Sequence, residues 1–328
     1  MSRKRLLCAA FAAVATVALV GGPAQADPTG TPTYRDIAIV GSDTTQTVMN
    51  GLSDAITVGG SKRLGSYDAR GSETIKTKEA GCVLPRPASS GAGVTALVNS
   101  IEAGDNCVQA ARSSSNNAAS YAGKNLTYVP FAVDAMTYSV RGDSTLSKKL
   151  TTAQLKSIYN CTAPGSGTNF KPLLPQFGSG SRDFFLKQLG LTNAANYTTQ
   201  FPCVSDIDVN GEPIQEHVGT YLTDTKHILP YSIAVYLSQV YGNAPAAQGK
   251  AVLATFNGVA PSQLNTASTF KRDVYNVIPS AKVADPTYAQ VFVGNTSLVC
   301  ANTGVITTYG FGVNPNCGKT DLVTPPAP

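Results

Sequence analysis

Short apolar runs bounded by glycine alternate along this chain with segments whose apolar residues return every three or four positions. The first unit sets the pattern. "RDIAIVG" (35–41) is an apolar run closed by Gly41, a buried-strand signal. Asp43 then opens a helix, with Gln46 in capping-box spacing and Val48, Met49, Leu52 and Ile56 on one face. The helical signal returns three times. "ASSGAGVTALVNSIEAG" (88–104) starts near Ser90 and aligns Val94, Leu97, Val98 and Ile101. "LTTAQLKSIYN" (150–160) pairs Thr151 with Gln154 and turns Leu155 and Ile158 inward. "SGSRDFFLKQLG" (179–190) places Phe185, Leu186 and Leu189 on one side. Strand signals lie at 107–113, 126–140, 251–256 and 273–279. Alternation of this kind predicts an α/β fold.

The first 26 residues stand outside that pattern. Arg3, Lys4 and Arg5 precede an apolar run from Leu6 to Val20, and Ala24-Gln25-Ala26 reads as a small-residue cleavage site. This predicts a secretory signal peptide cleaved after Ala26. Cys8 follows Leu7 inside the apolar run, so a lipid anchor is not expected. No second long apolar stretch occurs, and a released, soluble, monomeric product is expected. Removing three basic residues takes the charge from 25 − 20 to 22 − 20, or +2. A nearly neutral chain gives no support for nucleic-acid binding or a polybasic membrane contact. The roughly 300 residues left exceed one ordinary core and predict two lobes.

Cys82, Cys107, Cys161, Cys203, Cys300 and Cys317 remain after cleavage. In a secreted chain an even set predicts disulfides, with fifteen possible connectivities. The cysteines fall in three neighbouring couples, so Cys82–Cys107, Cys161–Cys203 and Cys300–Cys317 are expected. In the chain-entropy model each contributes about 3–4 kcal/mol. Wide cysteine spacing and only two histidines, His217 and His227, argue against a metal site. No cofactor is expected.

Three helix starts combine glycine with small hydroxyl residues: "GSDTTQ" (41–46), "ASSGAG" (88–93) and "GSGSRD" (178–183). A first helical turn has free N–H groups and a partial positive charge. Glycine lets a ligand approach the backbone, and hydroxyls donate further bonds, so such starts hold anions without lysine. Singly, each is most simply an N-cap. Together they predict a shared oxyanion pocket. Other motifs are weaker. "GAGVTA" (91–96) follows a Pro-containing segment and lacks the acidic residue about 20 positions on that a dinucleotide site requires. "FGSGS" lacks the order of a nucleophile elbow. "DIDVNGEPIQEH" (206–217) begins like a calcium loop but has His217 where a bidentate Glu belongs, and reads better as an Asn-Gly turn. The absence of Trp counts modestly against sugar stacking, although fourteen tyrosines keep it open.

These motifs, in this order, resemble the phosphate-binding proteins of bacterial ABC phosphate importers, within the type II periplasmic-binding-protein superfamily. "IVGSDTT" is similar to that family's first strand and Gly-Ser-rich loop, and "SSGAGVTALV" to its second anion loop. "ARSSS" (111–115) stands where the family runs from strand to ligand loop. "VPFAVDAMTYSV" is similar to the first crossing between lobes, "LTTAQLKSIYN" to the helix after it, and "GSGSRDFFLKQL" to the Gly-Ser-Gly-Thr-Arg helix start. The resemblance implies two α/β lobes joined by two hinge crossings, near Phe131–Asp134 and Val274–Pro279. Lobe one would be 27–133 with 275–328, and lobe two 134–274. It also implies an oxyanion, phosphate or a similar one, held in the interlobe cleft and delivered to an importer permease.

The ligand set so implied is Thr44 and Thr45, Ser89 and Ser90, then Ser179, Gly180 and Ser181 with Arg182 beside them. Two positions depart from the family pattern. Gln176 stands where the family often has Arg, and Ser114 where its phosphate binder has Asp. That Asp accepts a bond from a protonated phosphate, so phosphate-over-sulfate discrimination stays open here. Arg112 or Arg182 would either supply the missing charge or be structural. Two alternative readings remain at this level: an extracellular phosphoesterase-like hydrolase, and a released binding or adhesion protein without a transport role.

Overall fold

The computed structural model describes residues 27, 28, 30–262 and 270–327; the leader read as a signal peptide lies outside them. A mixed sheet carries the molecule. Seven strands cross it in the order Lys171–Pro172, His227–Ser232, Leu126–Arg141, Lys271–Pro279, Ala110–Ser113, Ile37–Gly41, Leu64–Ser66. Ala251–Leu253 and Gly312–Val313 pair with Leu126–Arg141 beside that path. Ile37–Gly41 is parallel to both its neighbours, an arrangement that needs crossover connections between the strands. The α/β class predicted from alternation is the class observed.

Leu126–Arg141 is shared. Residues 126–135 pair with 271–279, whereas 136–139 pair with 229–232 and 139–141 with 251–253. Val274 faces Ala132 and Tyr275 faces Pro130, so the register skips Phe131. A proline has no N–H to give the ladder, and a bulge is where a strand interior tolerates one. The core divides along the same strand. Val129, Phe131 and Ala132 join a cluster with Ile37, Val48, Leu52, Phe292 and Phe311. Met136, Tyr138 and Val140 join another with Leu155, Phe185, Leu186, Tyr197 and Phe270. Each such fully buried side chain contributes about 1.5–3 kcal/mol of transfer free energy. The helix Ile233–Val240 belongs to both sides of this division. It follows His227–Ser232 in sequence, yet puts Ala234 and Val235 into the first cluster.

Four helices carry the sequence signals, and the starts of three of them build the site: α1 (Gln46–Ala55), α2 (Ser90–Ala103), α3 (Thr152–Tyr159) and α4 (Gly180–Gln188), with α3 apart from it. Ser89 caps α2 by accepting from Ala92 N, and Gly104 closes it in a left-handed conformation. Thr151 and Gln154 form the predicted capping box of α3. Two expectations need correction. Asp43 does not open α1; its carboxylate is bonded to Arg70, the helix begins at Gln46, and Gln46 Oε1 accepts from Ala69 N. Ile101, placed by periodicity on the inner face of α2, is 42% exposed because it lies in the last turn, near the Gly104 end. Among the described residues no helix is long and apolar enough to cross a membrane.

The three expected disulfides are present, closing separations of 25, 42 and 17 residues. Replacing Cys161 and Cys203 together by Ala is expected to lower stability by about 4 kcal/mol, measured by denaturant unfolding. A second test concerns the seat of α2. A Cβ at Gly93 would stand 2.9 Å from Val40 O and closer still to Gly41 Cα. Ala is normally favoured over Gly in a helix by about 1 kcal/mol. Here Gly93→Ala is expected to destabilise instead, by about 1–3 kcal/mol of overpacking, with a lower Tm as the readout.

Candidate functional site

The start of α1 is shaped by one buried cation. Arg112 donates to Ile39 O, Gly41 O, Ser42 O and Tyr67 O and to Ser66 Oγ, at 2.8–3.2 Å. Burial pulls its pKa down to about 10, with Asp68 and Asp43 opposing, so it is still charged at neutral pH. Five bonds of this kind make Arg112 a clamp on the turn before α1 rather than a ligand group. The turn holds Ser42, Thr44 and Thr45, all fully buried. Thr45 is the N-cap residue of α1 but makes no capping bond. Its Oγ1 and the Oγ of Ser42 have no partner among the described residues. Buried hydroxyls without partners are uncommon and costly, which marks this turn as a place made for something else.

The other two starts meet it. Ser90 Oγ accepts from Ser114 N at 3.1 Å and lies 3.2 Å from Ser114 Oγ. Gly91 N donates to Gly178 O at 3.3 Å, tying α2 to the turn before α4. Ser179 caps α4 by accepting from Arg182 N at 3.0 Å. Gly180 is packed so tightly that a Cβ would sit 2.5 Å from both Ser90 Oγ and Ser114 Oγ. Thr44 Oγ1 and Ser181 Oγ are 3.1 Å apart. Thr44, Thr45, Ser89, Ser90, Ser114, Ser179, Gly180 and Ser181 therefore lie in one region, all buried.

Behind these hydroxyls lie four charged or titratable side chains that sequence reasoning missed: Asp134, Glu216, His217 and Arg272. Their bonds have one consistent direction. Ser232 N–H donates to His217 Nδ1 at 3.1 Å, so the ring proton sits on Nε2. Nε2–H donates to Thr44 Oγ1 at 2.9 Å, and Thr44 donates onward to Glu216 Oε2 at 2.5 Å. In parallel, Arg272 Nη2 donates to Ser181 Oγ at 2.8 Å, and Ser181 donates to the same Glu216 Oε2 at 2.9 Å. Arg272 is itself paired with Asp134 Oδ2 through Nη2 at 2.9 Å and Nε at 3.1 Å. Burial works to raise the Glu216 pKa. The neighbouring His217 and the hydroxyl donors around the carboxylate, Thr44 among them, outweigh it and hold the carboxyl well below the usual carboxylate range.

Three residues with a suggested site role stand apart. Arg182 turns into its own half, donating to Asp206 Oδ2 at 2.6 Å, Asn193 Oδ1 at 3.0 Å and Pro175 O at 3.1 Å, with Phe177 and Tyr197 against its guanidinium. Gln176 is only partly buried and pairs with Gln215. Arg112 serves the backbone, as above. The Asn-Gly turn at 206–217 is present: Asp208 accepts from Asn210 N and Glu212 N, and Ile207 bridges to Pro213.

Two half-sheets sharing one strand, with hydroxyl-rich helix starts meeting between them, define a two-lobed binding-protein architecture. The sequence matches the PBP superfamily domain over residues 26–294, and the chain belongs to that superfamily. Its structure is similar to that of a Clostridium perfringens protein assigned as a phosphate ABC transporter substrate-binding protein, solved with bound phosphate. The TM-score is 0.56 at 15% identity, covering 85% of this chain and 99% of that one. An ABC-type phosphate transport receptor from Vibrio cholerae gives a TM-score of 0.52 at 16% identity, covering 85% and 100%. A human phosphate-binding apolipoprotein gives 0.50 at 12%, covering 86% and 92%. No curated protein matches the sequence. The fold is thus the type II, two-lobed one, with crossings between the lobes.

Gly180 offers a direct test of the meeting of α4 with α2. Its backbone is helical, so Ala is free of strain there, but the added Cβ collides with Ser90 and Ser114 across the junction. Gly180→Ala is expected to leave each half folded while forcing them apart. Circular dichroism should be unchanged and the radius of gyration by X-ray scattering should rise.

Proposed function

We propose that this chain is a secreted solute-binding protein that holds phosphate or a similar oxyanion between its two lobes. The observation that carries the reading is the convergence of three helix starts, from α1, α2 and α4, on one buried cluster of hydroxyls. Such donors satisfy an oxyanion without a neighbouring lysine. The bound phosphate of the Clostridium perfringens protein and the phosphate named for the Vibrio cholerae receptor support the same ligand class here. On this reading lobe one is 27–133 with 275–328 and lobe two is 134–274. The ligand contacts both and favours the closed arrangement. The product is a monomer released after cleavage at Ala26, without a lipid anchor, and it serves an ABC importer permease.

The hydrolase alternative is disfavoured by the His217 tautomer. With Nδ1 accepting from Ser232 N–H, Nε2 carries a proton and donates to Thr44. A nitrogen in that state cannot take the proton of Thr44 or Ser181, as a nucleophile's base must.

Titration calorimetry with inorganic phosphate and with sulfate tests the proposal. One equivalent of at least one anion should bind, and a hundredfold excess over Kd should add about 2.7 kcal/mol of stability. Thr45→Val should weaken binding by about tenfold or more while leaving Tm unchanged or raised, because Oγ1 has no internal partner to lose. No heat and no thermal shift with either anion would overturn the reading.

A further inference from the structure

Glu216 is a buried carboxylate lodged among the donors that an oxyanion would use. The main chain of residues 216 and 217 is held by three side chains. Arg70 donates to Glu216 O, while Tyr231 Oη and Gln239 Nε2 donate to His217 O at 2.6 and 3.0 Å. His217 adopts a left-handed φ of 56°. The loop therefore aims the carboxylate inward.

The bonds it accepts define its position. One oxygen, Oε2, accepts hydrogen bonds from the hydroxyls of Thr44 at the α1 start and of Ser181 in the first turn of α4, and lies 3.3 Å from His217 Nε2. Those hydroxyls come from the two lobes of the proposed binding protein, so a single oxygen joins both. The other oxygen, Oε1, is buried and has no partner among the described residues. Nearby, Arg272 carries one positive charge against two negative ones, on Asp134 and Glu216. An incoming oxyanion would need the same two hydroxyl donors and would meet a like charge at van der Waals distance. Two anions in one low-dielectric site repel strongly.

We propose that Glu216 is a tethered competitor: it fills the anion position itself, closes the molecule on its own carboxylate, and must leave before an oxyanion can bind. The inference rests on the oxyanion reading given above and adds a regulatory element to it. A protein whose competent state is only a fraction of the population binds with an affinity reduced by that fraction. Weakening the internal contact returns that affinity. Glu216→Gln keeps the shape but lacks the charge that strengthens both hydroxyl bonds.

The test is calorimetry on wild type and Glu216→Gln with inorganic phosphate and with sulfate, alongside X-ray scattering of both proteins without added anion. The variant is expected to bind at least one of the two anions about tenfold or more tighter than wild type. Without anion it should scatter as a more open particle. Glu216→Asp, one methylene shorter, guards against misfolding of the first variant and should also bind tighter. Unchanged or weaker binding by both variants, with wild type binding normally, would overturn the competitor role and leave the oxyanion reading intact. In particular, loss of phosphate binding alone in Glu216→Gln would recast Glu216 as an acceptor for a protonated anion. If neither wild type nor variant binds either anion, the oxyanion reading falls and the inference falls with it.

Discussion

The buried ion pair between Asp134 and Arg272 is the interaction around which the junction is arranged. The two residues face each other in register on the strands 126–141 and 271–279. Each then reaches outward. Asp134 Oδ1 accepts from Ser232 Oγ at 2.7 Å, at the start of the helix Ile233–Val240, and Arg272 reaches Ser181 in α4. A buried pair of this kind adds little net stability, since desolvation cancels most of the attraction. Removing one partner alone leaves an unpaired charge and costs about 3–5 kcal/mol. Its contribution is therefore one of position. It fixes where two crossing strands, a helix start and a hydroxyl donor stand relative to one another.

Much of the fold was legible in the sequence because it rests on local signals. Apolar periodicity located α1 to α4, and glycine punctuation located the strand Ile37–Gly41. The error at the start of α1 has a tertiary cause. Asp43 was read as a cap, but the Arg70 side chain, distant in sequence, claims it. The site was legible in part. Hydroxyl-rich helix starts named Thr44, Thr45, Ser89, Ser90, Ser179, Gly180 and Ser181, and the family resemblance added Ser114; the fold gathers them all. Glu216 and His217 were not legible, because their partners Thr44 and Ser181 are brought to them by tertiary structure: Thr44 and Glu216 lie 172 positions apart. One usable signal was passed over. Asp134 is a lone carboxylate within a long apolar run, and a charge in that setting demands a buried partner.

Hydroxyl groups suit this junction because each both accepts and donates. Thr44 passes on the polarity of His217, and Ser181 that of Arg272, so neutral side chains carry the influence of the charged ones to a common acceptor. The direction of the His217–Thr44 arm follows from one backbone amide, Ser232 N–H, which decides where the imidazole proton resides. A change at that amide would reverse a donor several residues away without moving any charge.

The cradle is made of hydroxyls and helix ends, and the nearby arginines are already matched by carboxylates or carbonyls. Its reach into solvent is consequently short. Unmatched surface cations draw anions in from a distance and lose that pull as salt rises. An interior without unmatched cations offers little such guidance and has correspondingly little to lose. A protein built this way would capture its ligand by contact rather than by attraction, and would do so nearly as well in brine as in fresh water.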